Sequence, residues 1–434
     1  MMESIMPAKE HPWERALAAP VKSAARRVLL SLLSKLRYGR LTLRDGGRQW
    51  TFGSLHPRFP VEATVDVHDP KFYGRALVGG SIGAGEAYMS GYWSVDDLTR
   101  LIRIIVHNEA VMMEMDKGLT RLSAPFQRAF HRMRKDTRVG SRANIAAHYD
   151  LGNDFYRLFL DETMTYSCGI FEKPDSTLEE ASKAKYDRIC RKLGLTAEDH
   201  VLEIGTGWGG FAIHAAGRYG CRVTTTTISR EQQALAVARV AQAGLSDRVR
   251  ILSQDYRDLS GTFDKLVSIE MIEAVGHHFY DDFFRACARR LKPEGVMALQ
   301  AIVIRDDRYQ DQLLRPDFIK RHIFPGACLP SVAVMSDAVA RVTDLRLVHL
   351  EDITPHYART LRLWRERFFD NIDRVRALGF SEKFIRMWEF YLCYCEGSFL
   401  ERYIGDVQMV LARPFNRMAS ILPELAPQDW SFNS

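Results

Sequence analysis

The chain has 434 residues, a formal net charge of +6 and 46% hydrophobic content, enough for two globular domains with proper cores. No apolar run approaches the ~18 residues that span a bilayer, and the charged N-terminus MMESIMPAKEHPWERALAAP lacks a signal-peptide core, so export is not expected. Seven scattered cysteines (Cys168, Cys190, Cys221, Cys287, Cys328, Cys393, Cys395) without CxxC spacing indicate a reducing cytosol and argue against a disulfide framework or a metal site.

In chain order, VKSAARRVLLSLLSKLR (21–37) predicts a helix with Val21, Ala25, Val28, Leu29, Leu32, Leu33 and Leu36 on one side. Lys22, Arg26, Arg27, Ser31, Ser34 and Lys35 form the other side. That pattern suits first an ordinary helix packed on a core, and second an interfacial helix on lipid phosphates. Residues 37–70 alternate and predict a small sheet with a hairpin turn near Asp45-Gly46-Gly47, and 71–115 read as helical. A basic stretch follows, with Lys117, Arg121, Arg128, Arg132, Arg134, Lys135, Arg138 and Arg142 against one acid, Asp136. It reads as the linker that ends an N-terminal domain over 1–140, ahead of a second domain over 141–434.

From residue 180 strands and helices alternate: VLEI, CRVTTTT, RVRILSQD, FDKLVSIEMIEAV and GVMALQAIVI are separated by helical stretches. This predicts an α/β fold, a doubly wound Rossmann-like sheet, closed by DLRLVHLEDI and DVQMVLARP with an antiparallel strand near the end. The N-terminal domain is the smaller, mixed α+β part. Residues 305–335 interrupt the alternation and are expected to form a lid or substrate wall.

The turn VLEIGTGWGG (201–210) sets Gly205, Gly207 and Gly209 after a strand, which fits NAD, FAD or S-adenosylmethionine. A dinucleotide turn carries an acid about 20 residues further on; here that region is TTTTIS, with hydroxyls only. The acid is instead Glu203, before the turn, and Asp255 follows in LSQDYRDL, a set that favours S-adenosylmethionine.

Here the sequence resembles the cyclopropane-fatty-acyl-phospholipid synthases. The likeness runs through GAGEAYMSGYW (83–93), AHYDLGNDFYRLFLDETMTYSCGIF (147–171), the glycine turn, TTTTISREQ, IEMIEAVG (269–276), HYARTL (356–361) and FYLCYCEGSF (390–399). The resemblance implies a class I methyltransferase sheet and an N-terminal domain associated with lipid. It also implies transfer of a methylene group to the cis double bond of an unsaturated phospholipid acyl chain, through a carbocation. A bound bicarbonate ion is the implied base, in a shell of Cys168, Glu273, the Ile302 backbone and Tyr357, with Gln300 where synthases of this type often have histidine. Glu270 is expected to act as a structural partner of Glu273.

For the cofactor, the resemblance implies Thr227 and Gln232 at the ribose and adenosine, Tyr166 and Ser167 over the methionine end, and Asp255 and Tyr256 beside the adenine. His148 and Tyr149 would line the lipid entrance. An anionic membrane surface would then meet the 21–37 helix and the basic linker, placing a cytoplasmic enzyme, which could pair as a homodimer, on the inner face of the membrane. Gln300 cannot carry the charge that favours an anion, so a methyl- or methylene-branched product is the alternative outcome. A nucleic-acid methyltransferase is disfavoured, because SIEMIEAV replaces the [DNS]PP[YF] motif and no aromatic-interleaved basic motif occurs.

Overall fold

The Asp45-Gly46-Gly47 turn closes a two-residue hairpin between β1 (Arg40–Asp45) and β2 (Arg48–Phe52), which pair antiparallel. Gly46 and Gly47 have φ of 54° and 80°, the left-handed pair that matches strand twist and favours glycine. The structure, a computed structural model, describes residues 19–111, 113, 151–314, 317–419 and 421. The chain divides into two compact units, Met1–Phe130 with Ser381–Gly397, and His131–Phe380 with Ser398–Ser434.

In the first unit, β3 (Glu62–Val67) joins β1 in parallel and β4 (Trp93–Val95) completes a sheet of order β2-β1-β3-β4. Residues 71–115, expected to be helical throughout, are broken by β4 between α2 (Lys71–Met89) and α3 (Leu98–His107). The aromatic Trp93 faces the core there and pairs its strand with β3. Helix α1 (Ala19–Leu33) packs against α2.

The stripe of α1 is spent on this packing: Ala25, Leu29, Leu33 and the following Leu36 are buried, while Val28 is 46% exposed. Arg26 pairs with Asp45. The apolar face is therefore committed to a protein core, which corrects the interfacial reading of this helix.

The sequence division at 140 does not foresee the return of residues 381–397 to the first unit. There Glu389 accepts from Tyr88 Oη at 2.6 Å, and Glu396 accepts from Thr99 Oγ1 at 3.0 Å. A Cβ on Gly397 would lie 2.8 Å from the Ile102 side chain, so the backbones approach closely only because that residue is glycine.

The second unit is built on a seven-stranded sheet of order β10-β11-β9-β8-β5-β6-β7. The strands are β5 (His200–Ile204), β6 (Arg222–Thr226), β7 (Val249–Leu252), β8 (Phe263–Ile269), β9 (Leu291–Ile304), β10 (Arg346–Asp352) and β11 (Ile404–Ala412). Pairing is parallel except where β11 runs antiparallel to β9 and β10, as the alternation predicts. Val201, Leu202, Leu266, Val267, Met297 and Leu299 are buried in the centre of this sheet, as expected for strands covered on both faces.

Helix α4 (Leu178–Leu193) starts on a capping box in which Thr177 Oγ1 accepts from Glu180 N–H and the Glu180 carboxylate accepts from Thr177 N–H. It ends at Gly194 in the left-handed conformation. Lys185, Arg188 and Lys192 fall at helical spacing on one side of it, and Lys185 and Lys192 are fully buried. The chain leaves β5 for β6 on one side and returns to β8 on the other. The carboxyl ends of β5 and β8 thus flank the crevice where open α/β sheets bind ligands.

Candidate active site

The glycine turn sits at the carboxyl end of β5, leading into α5 (Gly210–Tyr219). Gly205, Gly207 and Gly209 have φ of 104°, 51° and 86°, and Gly205 and Thr206 N–H bond to Thr226 O. The turn is clamped from above: Arg239, on α6 (Arg230–Gln242), donates to Thr163 O, Trp208 O and Glu162 O. A Cβ on Gly210 would lie 2.5 Å from Tyr186 Oη on α4 and 3.0 Å from Thr163 O, so glycine here lets the turn pack closely on both.

Glu203 is buried, and its Oε2 has no hydrogen-bond partner among the described residues. Burial pushes its carboxyl up to about 8, with Thr225 and Lys185 acting in the other direction. A buried, unsatisfied carboxyl oxygen beside a glycine turn fits the ammonium of a bound S-adenosylmethionine. At the end of β6, Thr227 Oγ1 donates to Gln232 Oε1 at 3.0 Å, which places this pair of polar groups beside the turn. Asp255 is held by Arg257 at 2.6–3.0 Å, next to the half-buried Tyr256.

Because a cation beside Glu203 favours the ionised form, binding should release a proton from it below about pH 8. The affinity attributable to Glu203 should climb as pH rises toward that value and level off above it. Calorimetry of S-adenosylhomocysteine binding in buffers of different ionisation heat reads this release. Glu203→Gln should abolish it, and equal release by the variant would refute the assignment.

A second cluster lies at the carboxyl end of β8. Glu270, with a left-handed φ of 48°, receives Cys168 N–H at 2.9 Å and the Gln300 amide at 2.7 Å on Oε1, and the Tyr357 hydroxyl at 2.5 Å on Oε2. Glu273 receives Ile302 N–H at 2.5 Å, and its Oε2 is buried with no partner among the described residues. Burial first, and then the Glu270 charge, push Glu273 up to about 8. Burial, and then the Glu270 and Glu273 charges, push the Asp406 carboxyl well above the usual carboxylate range. Burial likewise pushes the Cys168 thiol up, and it donates to Gly169 O. The backbone N–H of Cys168 reaches Glu270, and its thiol lies beside Asp406.

The structure therefore brings Cys168, Glu273, Gln300, Ile302 and Tyr357 together, but around side chains and not around an open anion site. Bicarbonate does not fit this arrangement. The Cys168 N–H, the Gln300 amide and the Tyr357 hydroxyl are taken by Glu270, and the Ile302 N–H is taken by Glu273. Glu270, expected to be a partner of Glu273, is the group on which these donors converge.

Several contributors are not evident from the sequence. Gln300 on β9 pairs in register with Gln408 on β11. Lys192 can only donate, and it donates to Gln408 Oε1 at 2.8 Å and to Glu351 at 2.6 Å. That forces Gln408 to turn its amide nitrogen toward Gln300 Oε1, at 3.0 Å. Gln300 must then offer its own nitrogen to Glu270 and to Asp406, at 3.2 Å. One buried ammonium thus fixes the polarity of two glutamines. Lys185 donates to Ser167 Oγ at 2.7 Å, and burial lowers its pKa while Glu270 opposes that shift.

Aromatic rings wall the cluster. On α7 (Thr354–Asp370), Tyr357 stacks on Phe399 at 4.4 Å, and Trp364 lies 5.1 Å from the half-buried Tyr166. Phe324, from the interrupted stretch after β9, lies 6.4 Å from Tyr166, and Cys328 N–H bonds to Glu273 O. That stretch does border the site. His148, Tyr149 and the basic segment 117–142 lie outside the described residues. Among those that are described, no cluster of His, Cys, Asp or Glu could hold a metal ion.

A seven-stranded sheet with this strand order, a glycine turn after β5 and a buried carboxyl ahead of it define a class I S-adenosylmethionine-dependent methyltransferase. The sequence model of the mycolic acid cyclopropane synthetase family matches residues 136–409. Tuberculostearic acid methyltransferase of Mycobacterium tuberculosis is 40% identical over 406 residues, 92% of each chain. Cyclopropane-fatty-acyl-phospholipid synthase of Escherichia coli is 39% identical over 360 residues, covering 81% of this chain and 88% of that protein. Among solved structures, a cyclopropane synthase of Mycobacterium tuberculosis superposes with a TM-score of 0.59 at 34% identity, over 62% of this chain and 98% of the other. A mycolic acid cyclopropane synthase complexed with SAH and CTAB gives 0.58 at 34% identity, with the same coverage. The chain belongs to the mycolic acid cyclopropane synthetase family.

Proposed function

We propose that the protein transfers a one-carbon unit from S-adenosylmethionine to the cis double bond of an unsaturated phospholipid acyl chain, giving a cyclopropane. The observation that carries this reading is the pairing across the sheet crevice. A glycine turn with an unsatisfied Glu203 lies on β5, and a cluster of carboxyl groups walled by aromatic rings lies at the end of β8. Bound cofactor would supply an electrophilic methyl group. Glu203, Gly205, Gly207, Gly209, Thr227 and Gln232 would hold it, with Tyr166 and Ser167 at the methionine end and Asp255 and Tyr256 at the adenine.

An isolated alkene is a weak nucleophile, so its attack needs a close, water-excluding approach. Attack leaves a cation on the acyl chain. The faces of Tyr166, Trp364 and Tyr357 are suited to stabilise it, since a ring quadrupole attracts positive charge by ~0.5–2 kcal/mol. The cation must then lose a proton from the new methyl group.

A methylene-branched product is the second reading. It is favoured by Gln300, where synthases of this type often have histidine, and by the 40% identity to a tuberculostearic acid methyltransferase. No helix among the described residues is long and apolar enough to cross a membrane. Access to phospholipid would therefore rest on surface association, for which the basic segment 117–142 supplies the charge.

The test incubates the protein with labelled S-adenosylmethionine and vesicles of mono-unsaturated phosphatidylglycerol and phosphatidylethanolamine. A gain of about fourteen mass units per acyl chain (one CH₂) that resists hydrogenation means a ring, and the same gain with hydrogen uptake means a branched alkene. Unlabelled lipid would refute the proposal. Sedimentation with and without the anionic lipid reads the surface association, which equal binding to both vesicles would refute.

A further inference from the structure

We propose that the Glu270 carboxylate, held by the Cys168 N–H, the Gln300 amide and the Tyr357 hydroxyl, is the base that takes the proton from the transferred methyl group. It replaces an exchangeable bicarbonate. This inference rests on the acyl-chain reading above and names the proton acceptor of that reaction.

Three observations support it. The donors that would hold an exchangeable anion are used, and the group using them is itself a carboxylate. Of the four carboxyl groups flanking the crevice, Glu203, Glu273 and Asp406 are buried, whereas Glu270 is only half-buried and so the more accessible. Glu270 also holds a left-handed backbone at φ 48°, which costs a residue with a Cβ roughly 1–2 kcal/mol. Such strain persists where the surroundings hold the residue in place, and it clusters at functional sites.

The step balances without a further reactant. A C–H bond of the transferred methyl breaks, and its electron pair closes onto the cationic carbon to form the third ring bond. In the branched outcome a hydride first shifts from the methylated carbon to the cationic one, and the C–H pair of the methyl group then forms a double bond to the carbon that bears it. The proton passes to Glu270 and then to solvent. An unshielded carboxylate beside a carbocation would be alkylated to an ester. Donors on both oxygens draw off charge and hold the group in place, which favours proton transfer over bond formation to carbon. Lys192, Gln408 and Gln300 are positioning residues, since they act only by aiming the Gln300 N–H at Glu270.

The experiment compares wild type, Glu270→Gln and Glu270→Gly on the same unsaturated vesicles, in buffer stripped of carbon dioxide and in buffer with added bicarbonate or formate. Wild type should form product equally in both. Glu270→Gln should lose on the order of 10²–10⁴-fold in rate, the usual worth of a general base, while still binding S-adenosylhomocysteine as wild type does. Glu270→Gly relieves the backbone and frees the three donors, so added bicarbonate or formate should restore part of its activity.

Full activity of Glu270→Gln, or of Glu270→Gly without either anion, would overturn the inference. So would a wild-type enzyme that needs bicarbonate, although lipid product would then leave the acyl-chain reading intact. Absence of lipid product from wild type in every buffer would overturn both.

Discussion

Gly205→Ala should lose cofactor affinity on the order of 10- to 100-fold while the protein stays folded. The residue has φ of 104°, a conformation that L side chains rarely adopt, and an added Cβ would lie 3.4 Å from the Met271 side chain. Backbone strain of this kind costs about 1–3 kcal/mol, and the turn relieves it by shifting. Any shift moves Gly205 N–H and Thr206 N–H off Thr226 O, and with them the backbone that faces the cofactor. Gly207→Asn should cost less, because φ of 51° is the left-handed region that asparagine tolerates, and nothing lies within 4 Å of its Cβ position. Calorimetric binding of S-adenosylhomocysteine, alongside a denaturant midpoint for each variant, reads both effects. Equal affinities for Gly205→Ala and wild type would show that the turn does not hold the cofactor.

Lys192→Met should be the most destabilising single change in the buried polar network, at about 3–5 kcal/mol, the cost of removing one partner from a buried ion pair. Lys192 is fully buried, and burial pushes its pKa down to about 8 although Glu351 opposes the shift, so it is charged at neutral pH. Removing it leaves Gln408 Oε1 without a donor and Glu351 with Arg188 as its remaining ion-pair partner. The two glutamines then lose what fixes their polarity, and Gln300 is free to present its oxygen to Glu270. The loss should appear as a lower urea midpoint. Product formation per folded molecule should also fall at saturating cofactor, which a purely structural role would leave unchanged. An unaltered midpoint would show that the charge network contributes nothing to the fold.

Much of the second unit is legible in the sequence because its signals are local. Alternating strands and helices specify a parallel sheet, and three glycines after VLEI specify the turn. The Gly46-Gly47 hairpin is legible for the same reason. The carboxyl cluster is less so. IEMIEAVG shows two glutamates in an apolar stretch, but nothing in it reveals that residues 168, 300 and 357 will converge on Glu270 and not on an exchangeable anion. Lys192 reads as an ordinary basic residue of a helix, and Gln408 as one polar position in a strand. Their roles come from register between β9 and β11, a long-range property. The stripe of α1 fails differently: an apolar face has the same periodicity whether it meets protein or lipid, and only the packing of Leu29 and Leu33 decides between them.

The return of residues 381–397 to the first unit bears on how the polypeptide comes off the ribosome. Synthesis runs from the N-terminus, yet Tyr88, Thr99 and Ile102 gain their partners only when Glu389, Glu396 and Gly397 have emerged. The amino-terminal part must therefore wait, incompletely packed, through translation of nearly all that follows it, a state in which chains are prone to aggregate. A fragment cut at residue 130 would keep that exposed face permanently, so the two units have to be produced and inherited as a single piece.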